Sequence, residues 1–137
     1  MMSREALIIE AQKVRFNAYA KYSGYRVGAV VVSSSGRIFT GCNVENVSFG
    51  ATICAERNAI AAMIAAGEIK VAELVIATVD FGQPCGMCLQ VLNEFCGGED
   101  VAILLCKESG NAYQETSLRH LLPHPFSTFA APFERET

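Results

Sequence analysis

The stretch Cys54-Ala55-Glu56-Arg57-Asn58-Ala59-Ile60-Ala61-Ala62-Met63-Ile64-Ala65-Ala66-Gly67, read with Pro84-Cys85-Gly86-Met87-Cys88, decides the fold. Alanine favours helix, Ile60, Met63 and Ile64 have the spacing of a buried helix, and Gly67 stands where a C-cap glycine belongs. The sequence therefore predicts a nearly fully buried helix over 54–66. Working outward, 74–79 and 101–106 are short apolar runs of strand length, and 86–95 between them reads as a helix stopped by Gly97-Gly98. Strand, helix, strand in that order predicts a parallel crossover, hence an α/β fold.

Toward the N-terminus, Leu7, Ala11, Val14, Ala18 and Tyr22 recur at three- and four-residue intervals, which predicts a helix capped by Ser3 and ending near Ser23-Gly24. Residues 27–32 and 37–43 are extended patterns joined by Ser33-Ser34-Ser35-Gly36, a hairpin. After a turn at Ser109-Gly110-Asn111 come one short strand, a brief helix over 117–122, and a tail containing Pro123, Pro125 and Pro132.

The 137 residues, 51% of them hydrophobic, suffice for one domain spanning 1–137 with its own core. Mean hydropathy is positive, +0.27. Eleven basic against fourteen acidic residues give a net charge of -3. Without a Lys/Arg run to follow a phosphate backbone, nucleic acid is not the expected partner; a small molecule is. The first residues form no unbroken apolar stretch of the kind a signal peptide or membrane span needs, so the expected location is the cytoplasm, with no membrane partner. In such a reducing compartment, six cysteines and a Cys-x-x-Cys spacing point to metal, leaving Cys42, Cys96 and Cys106 as buried thiols.

Cys54 and Cys85 lie 31 positions apart, each at a predicted helix start. Free backbone N–H groups and the positive end of the helix dipole there stabilise the thiolate that zinc requires. Cys54, Cys85 and Cys88 together supply three ligands, and a tetrahedral Zn²⁺ site with three protein ligands keeps one position open for water, the arrangement of a catalytic centre. His120 and His124 lie in the C-terminal region outside any recognisable ligand pairing. Glu56, two residues beyond Cys54, suits general acid/base work on that water. Alone, Glu56 would read as a first-turn glutamate favoured by the helix dipole, and Cys85-x-x-Cys88 as a redox pair. A redox pair does not account for Cys54-Ala55-Glu56.

Cys-Ala-Glu with Pro-Cys-x-x-Cys resembles the zinc nucleoside deaminases, whose signature is known in a His and a three-Cys variant. Tyr22-Ser23, Val27-Gly28-Ala29, Gly36-Arg37, Thr40-Gly41-Cys42-Asn43-Val44-Glu45-Asn46, Gln90-Val91-Leu92 and Leu121-Leu122-Pro123 extend the resemblance to the small bacterial-type cytidine deaminases. That resemblance implies a three-layer cytidine-deaminase-like fold with a central mixed five-stranded sheet flanked by helices. It also implies zinc-dependent deamination of cytidine and deoxycytidine to uridine and deoxyuridine in pyrimidine salvage, with Glu56 moving the protons and ammonia leaving.

By the same resemblance Asn43 and Glu45 bind the ribose, the backbone at Ala55 holds the base carbonyl, and Arg57 hydrogen-bonds the zinc thiolates. Tyr25 stands where the family usually has a Phe packed on the base. Phe126 matches a Phe that reaches a neighbouring subunit's pocket in a homotetramer. Three positions depart from the pattern: Leu89 for Arg, Phe49 for a substrate-side Tyr, and Gln83 for Ser. These leave room for another cytosine nucleoside such as blasticidin S as substrate. A structural zinc module completed by a partner's ligand is the non-catalytic alternative, against which Glu56 argues.

Overall fold

The structure, a computed structural model, describes residues 2–127. Its first helix, α1 (Arg4–Arg15), is capped as expected: the Ala6 N–H donates to Ser3 Oγ at 3.2 Å. The helix stops at Arg15, well short of the expected end near Ser23-Gly24. Asn17 and Ala18 tighten onto Val14 and Arg15 through bonds three residues back. Tyr19 is then drawn into a bridge with Val44, donating to the Asn43 carbonyl at 3.0 Å and accepting from the Glu45 N–H at 2.9 Å. Helical spacing at Ala18 and Tyr22 is outweighed by this long-range pairing.

Strands β1 (Gly28–Ser33) and β2 (Ile38–Cys42) form the expected hairpin, with Gly36 at φ 89° in its turn. A short 3₁₀ turn (Phe49–Ala51) leads to α2 (Ala55–Ala65), followed by β3 (Val71–Thr78), α3 (Gly86–Glu94), β4 (Ala102–Lys107), β5 (Tyr113–Ser117) and α4 (Leu118–Leu121). Sheet order is β2-β1-β3-β4-β5. Only β3 and β4 run parallel, joined by α3 as the crossover helix, and every other pair is antiparallel. Pro132 of the expected tail lies outside the described residues.

Side chains alternate across the sheet with the strand period of two, which builds three layers. Val30, Val32, Val75, Ala77, Leu104 and Cys106 pack with Leu7, Ile8 and Ala11 of α1. On the opposite face, Val31, Leu74, Ile76, Ile103 and Leu105 pack with Ala59, Ile60 and Met63 of α2 and Leu89 and Leu92 of α3. Leu89, the departure from arginine, is thus a core residue.

Two expectations about burial are corrected. Helix α2 buries only one side: Ala55, Glu56, Ala59, Ile60 and Met63 are inside, whereas Ala61, Ala62, Ile64 and Ala65 are exposed. A run of alanines conceals which face is which. Cys96 and Cys106 are buried thiols, but Cys42, at the end of edge strand β2, is only half-buried.

The layers touch most closely at two glycines. A Cβ on Gly28 would lie 2.1 Å from the Ala11 carbonyl oxygen, and one on Gly41 would lie 2.4 Å from the Ala59 nitrogen and 2.5 Å from the Ala55 oxygen. These obstacles are helix backbone, which yields only if the helix moves. Gly41→Ala is expected to cost about 3 kcal/mol, at the upper end of overpacking penalties. Urea unfolding should show a lower midpoint with an unchanged slope.

Candidate metal centre and pocket

Cys54 is the N-cap residue of α2 and Cys85 the N-cap residue of α3, both with extended backbone, while Cys88 lies in the first turn of α3. The crossover places these helix starts side by side at the same end of the sheet. Their sulfurs all lie within 4.8 Å of one another, with Cys54 to Cys85 at 4.0 Å and Cys85 to Cys88 at 3.5 Å. Zinc–sulfur bonds of about 2.3 Å in a tetrahedron put ligand sulfurs roughly 3.8 Å apart. The donor set and its spacing therefore fit Zn²⁺.

In the absence of metal, one negative charge is focused on Cys54, whose pKa is brought down to about 5 by a hydrogen bond from Cys88 and by the Arg57 guanidinium. Arg57 Nη2 donates to Cys54 Sγ at 3.4 Å, and this contact raises the arginine's own pKa in turn. Cys88 is driven in the other direction, because it is the donor to that thiolate and is buried. Arg57 Nε is buried with no partner among the described residues.

Glu56, in the first turn of α2, is 5% exposed. Burial pushes its pKa up, and the charge on Cys54 pushes it further. A carboxyl so placed exchanges its proton nearer neutrality than an exposed one.

A cavity of about 270 Å³ opens beside the sulfurs, lined by Ser23, Tyr25, Val27, Asn43, Glu45, Thr52, Cys54, Ala55, Glu56, Gln83 and Cys85. Asn43 and Glu45 both face it, as alternate spacing beyond β2 predicts. Asn43 is 8% exposed and fixes the 25–27 segment: its Oδ1 accepts from the Val27 N–H and its Nδ2 donates to the Tyr25 carbonyl, each at 2.9 Å. One amide proton and one lone pair are left over. The Glu45 carboxylate accepts from the Tyr22 and Ser23 N–H groups, at 2.8 and 3.0 Å, and from the Ser23 hydroxyl. These bonds, led by that hydroxyl, hold its pKa below the ordinary value.

Phe49 and Phe126 do not line this cavity. Phe49 stands on its rim, 77% exposed and edge-on to Tyr22 at 6.1 Å, in an adjoining depression that shares Ser23, Glu45 and Thr52. Phe126 is tied through its backbone to Gln90 on α3, its carbonyl accepting from Nε2 at 2.5 Å and its N–H donating to Oε1 at 3.2 Å. His120 and His124 are not part of the metal-ligand cluster. Ser23, Val27 and Thr52 also line the cavity without a site role in the sequence reading: Ser23 and Val27 stood there only as an element end and within matching motifs, and Thr52 lies in a stretch that no spacing marks.

Three cysteine sulfurs gathered beside a pocket that also holds a buried carboxyl are a candidate metal centre of the catalytic kind. Residues 1–105 match the family described as the cytidine and deoxycytidylate deaminase zinc-binding region. The cytidine deaminase of Sporosarcina psychrophila is 39% identical over 128 residues, covering 92% of this chain and 93% of that protein. The one from Halalkalibacterium halodurans is 37% identical, covering 92% and 96%. The crystal structure of cytidine deaminase from Burkholderia pseudomallei superposes with a TM-score of 0.83 at 40% identity, covering 91% of this chain and all of that one. The chain belongs to the cytidine and deoxycytidylate deaminase family.

The buried carboxyl has a consequence for stability. Because the folded-state pKa of Glu56 is raised, the native metal-free protein binds more protons than the unfolded chain above the ordinary carboxylate pKa, and stability falls as pH rises through that interval. Metal-free Glu56→Gln should accordingly unfold at higher urea than the metal-free parent at pH 8. The difference should shrink toward pH 4.

Proposed function

We propose that the chain deaminates cytidine and deoxycytidine hydrolytically, releasing ammonia and the uracil nucleoside. The observation that carries this reading is the joint lining of one cavity by two of the sulfurs and Glu56 on one side and by Asn43 and Glu45 on the other. A thiolate centre with an adjacent acid/base suits addition of water to an amidine carbon, and the polar pair suits the hydroxyls of a sugar. Cys54, Cys85 and Cys88 would hold the zinc, which when bound acidifies a water in its open position.

Glu56 carries the protons. As the carboxylate it accepts one from the attacking water and delivers it to N3 of the cytosine ring, then takes the proton of the hydroxyl added at C4 and gives it to the amino group, so that the C4–N bond breaks, the C4 carbonyl forms and ammonia leaves. Its burial favours this exchange, since the protonated form is readily reached. Arg57 offsets the negative charge of three thiolates through its bond to Cys54. The spare donor and acceptor of Asn43 and the ordered carboxylate of Glu45 bind ribose hydroxyls, the Ala55 N–H at the start of α2 donates to the base carbonyl, and the ring of Tyr25 closes the side wall.

Phe49 on the rim covers the outer part of the substrate, and Phe126 serves the pocket of a neighbouring subunit in a homotetramer, with residues 1–137 forming one domain per subunit. The exposed apolar side of α2 supports such an assembly. The reading includes a role in pyrimidine salvage, with the cytoplasm as the place where the enzyme works. Among the described residues no helix is long and apolar enough to cross a membrane.

Glu56→Gln should keep about one zinc per chain and lose turnover of cytidine by at least a hundredfold, the lower bound for removing a general acid/base. Normal turnover with zinc bound would remove Glu56 from the mechanism. Glu45→Ala should raise KM for cytidine about tenfold, the worth of one good hydrogen bond to a charged group. Ammonia release should be faster with cytidine and deoxycytidine than with their 5′-phosphates or blasticidin S, and the reverse order would overturn the substrate assignment.

A further inference from the structure

Tyr25 carries a hydroxyl that the pocket wall does not require, and the structure shows what receives it. Tyr25 Oη donates to Asp80 Oδ1 at 2.6 Å, across 55 positions of chain. Asp80 belongs to the short loop between β3 and the N-cap of α3, which ends in Gln83, Pro84 and Cys85. The same Asp80 oxygen accepts from the Thr78 hydroxyl at 3.3 Å, and Thr78 Oγ1 accepts in turn from the Gly82 N–H at 2.6 Å.

The loop is shaped around that hydroxyl. A Cβ on Gly82 would lie 2.2 Å from Tyr25 Oη and 3.1 Å from the Thr78 side chain, so only glycine leaves the space the phenol occupies. Phe81 takes a left-handed φ of 57°, uncommon for a bulky side chain, which reverses the loop toward Gly82. Lys107 of β4 sits over the Phe81 ring, 5.5 Å from its centroid, and braces the bend from outside.

We propose that the Tyr25 hydroxyl and the Asp80 carboxylate form a latch that holds the 79–84 loop against the segment leading into β1 and so keeps Cys85 in ligating position. Tyr25 and Asp80 are then positioning residues for metal retention, acting on Cys85 through the loop backbone. Without the latch the loop keeps the bond to Thr78 and the packing of Phe81 but loses its tie to the segment before β1, and the sulfur that follows it is the exposed member of the three. This rests on Cys85 being a zinc ligand, as read above.

The experiment follows zinc transfer from the loaded protein to a chromogenic chelator, beside kcat/KM for cytidine and urea midpoints. Tyr25→Phe and Asp80→Ala should each speed zinc loss about tenfold, the lower end for outer partners of metal ligands. The double variant should lose zinc no faster than either single. Asp80→Asn, whose amide oxygen still accepts from the phenol, should stay within about twofold of the parent. Unchanged release rates, effects that multiply in the double variant, or an Asn variant as damaged as the Ala variant would each overturn the latch. Tyr25→Phe keeps the ring and serves as the conservative probe should Asp80→Ala fold poorly. Cys85→Ser separates the premises: zinc held by it as firmly as by the parent defeats the ligand reading itself, whereas slow zinc loss from Tyr25→Phe defeats only the latch.

Discussion

The closeness of α2 to strand β2 is the constraint on which the rest depends. Where β2 passes under the helix its residue is Gly41, and the helix presents the backbone of Ala55 and Ala59 to it, with no side chain between. Thickness there sets the height of the first turn of α2, and the first turn carries Cys54, Glu56 and Arg57. An alanine-rich helix is thus a spacing device as much as a propensity choice. Asn58 adds to the seam by donating to the Cys42 carbonyl at 2.8 Å, so the same contact orients the chain entering Asn43 and Glu45.

Electrostatics explains why three sulfurs can be gathered without collapse of the site. Each N-cap thiol faces the positive end of a helix, and Arg57 adds a full charge next to Cys54. Glu56 is the group placed unfavourably, buried beside a thiolate. Its burial suits the acid/base role proposed for it, and its cost falls on the folded state without metal.

Much of this was legible along the chain, for reasons that differ by element. Cys54 and Cys85 marked helix starts because caps and periodicity are local, and the crossover followed from strand lengths and the Gly97-Gly98 stop, both glycines with positive φ. The end of α1 was not legible, because what stops it is Val44, far away in sequence. Nor was the one-sided burial of α2, since alanines look alike on either face. Around the site, the three cysteines and Glu56 were visible as a spaced motif, whereas Ser23, Thr52 and Asp80 are polar loop residues whose placement comes from long-range neighbours.

An ion held by the starts of α2 and α3 would be a fastener as well as a reagent. It would close a loop of chain from Cys54 to Cys88 that contains all of β3, joining two helices whose other bonds run mainly to the sheet. Ligation of this kind turns binding free energy into folding free energy. Each tenfold rise in free zinc above its dissociation constant then deepens the native state by about 1.4 kcal/mol. Metal supply would thereby govern how long each molecule survives in the cell, independently of how fast it works.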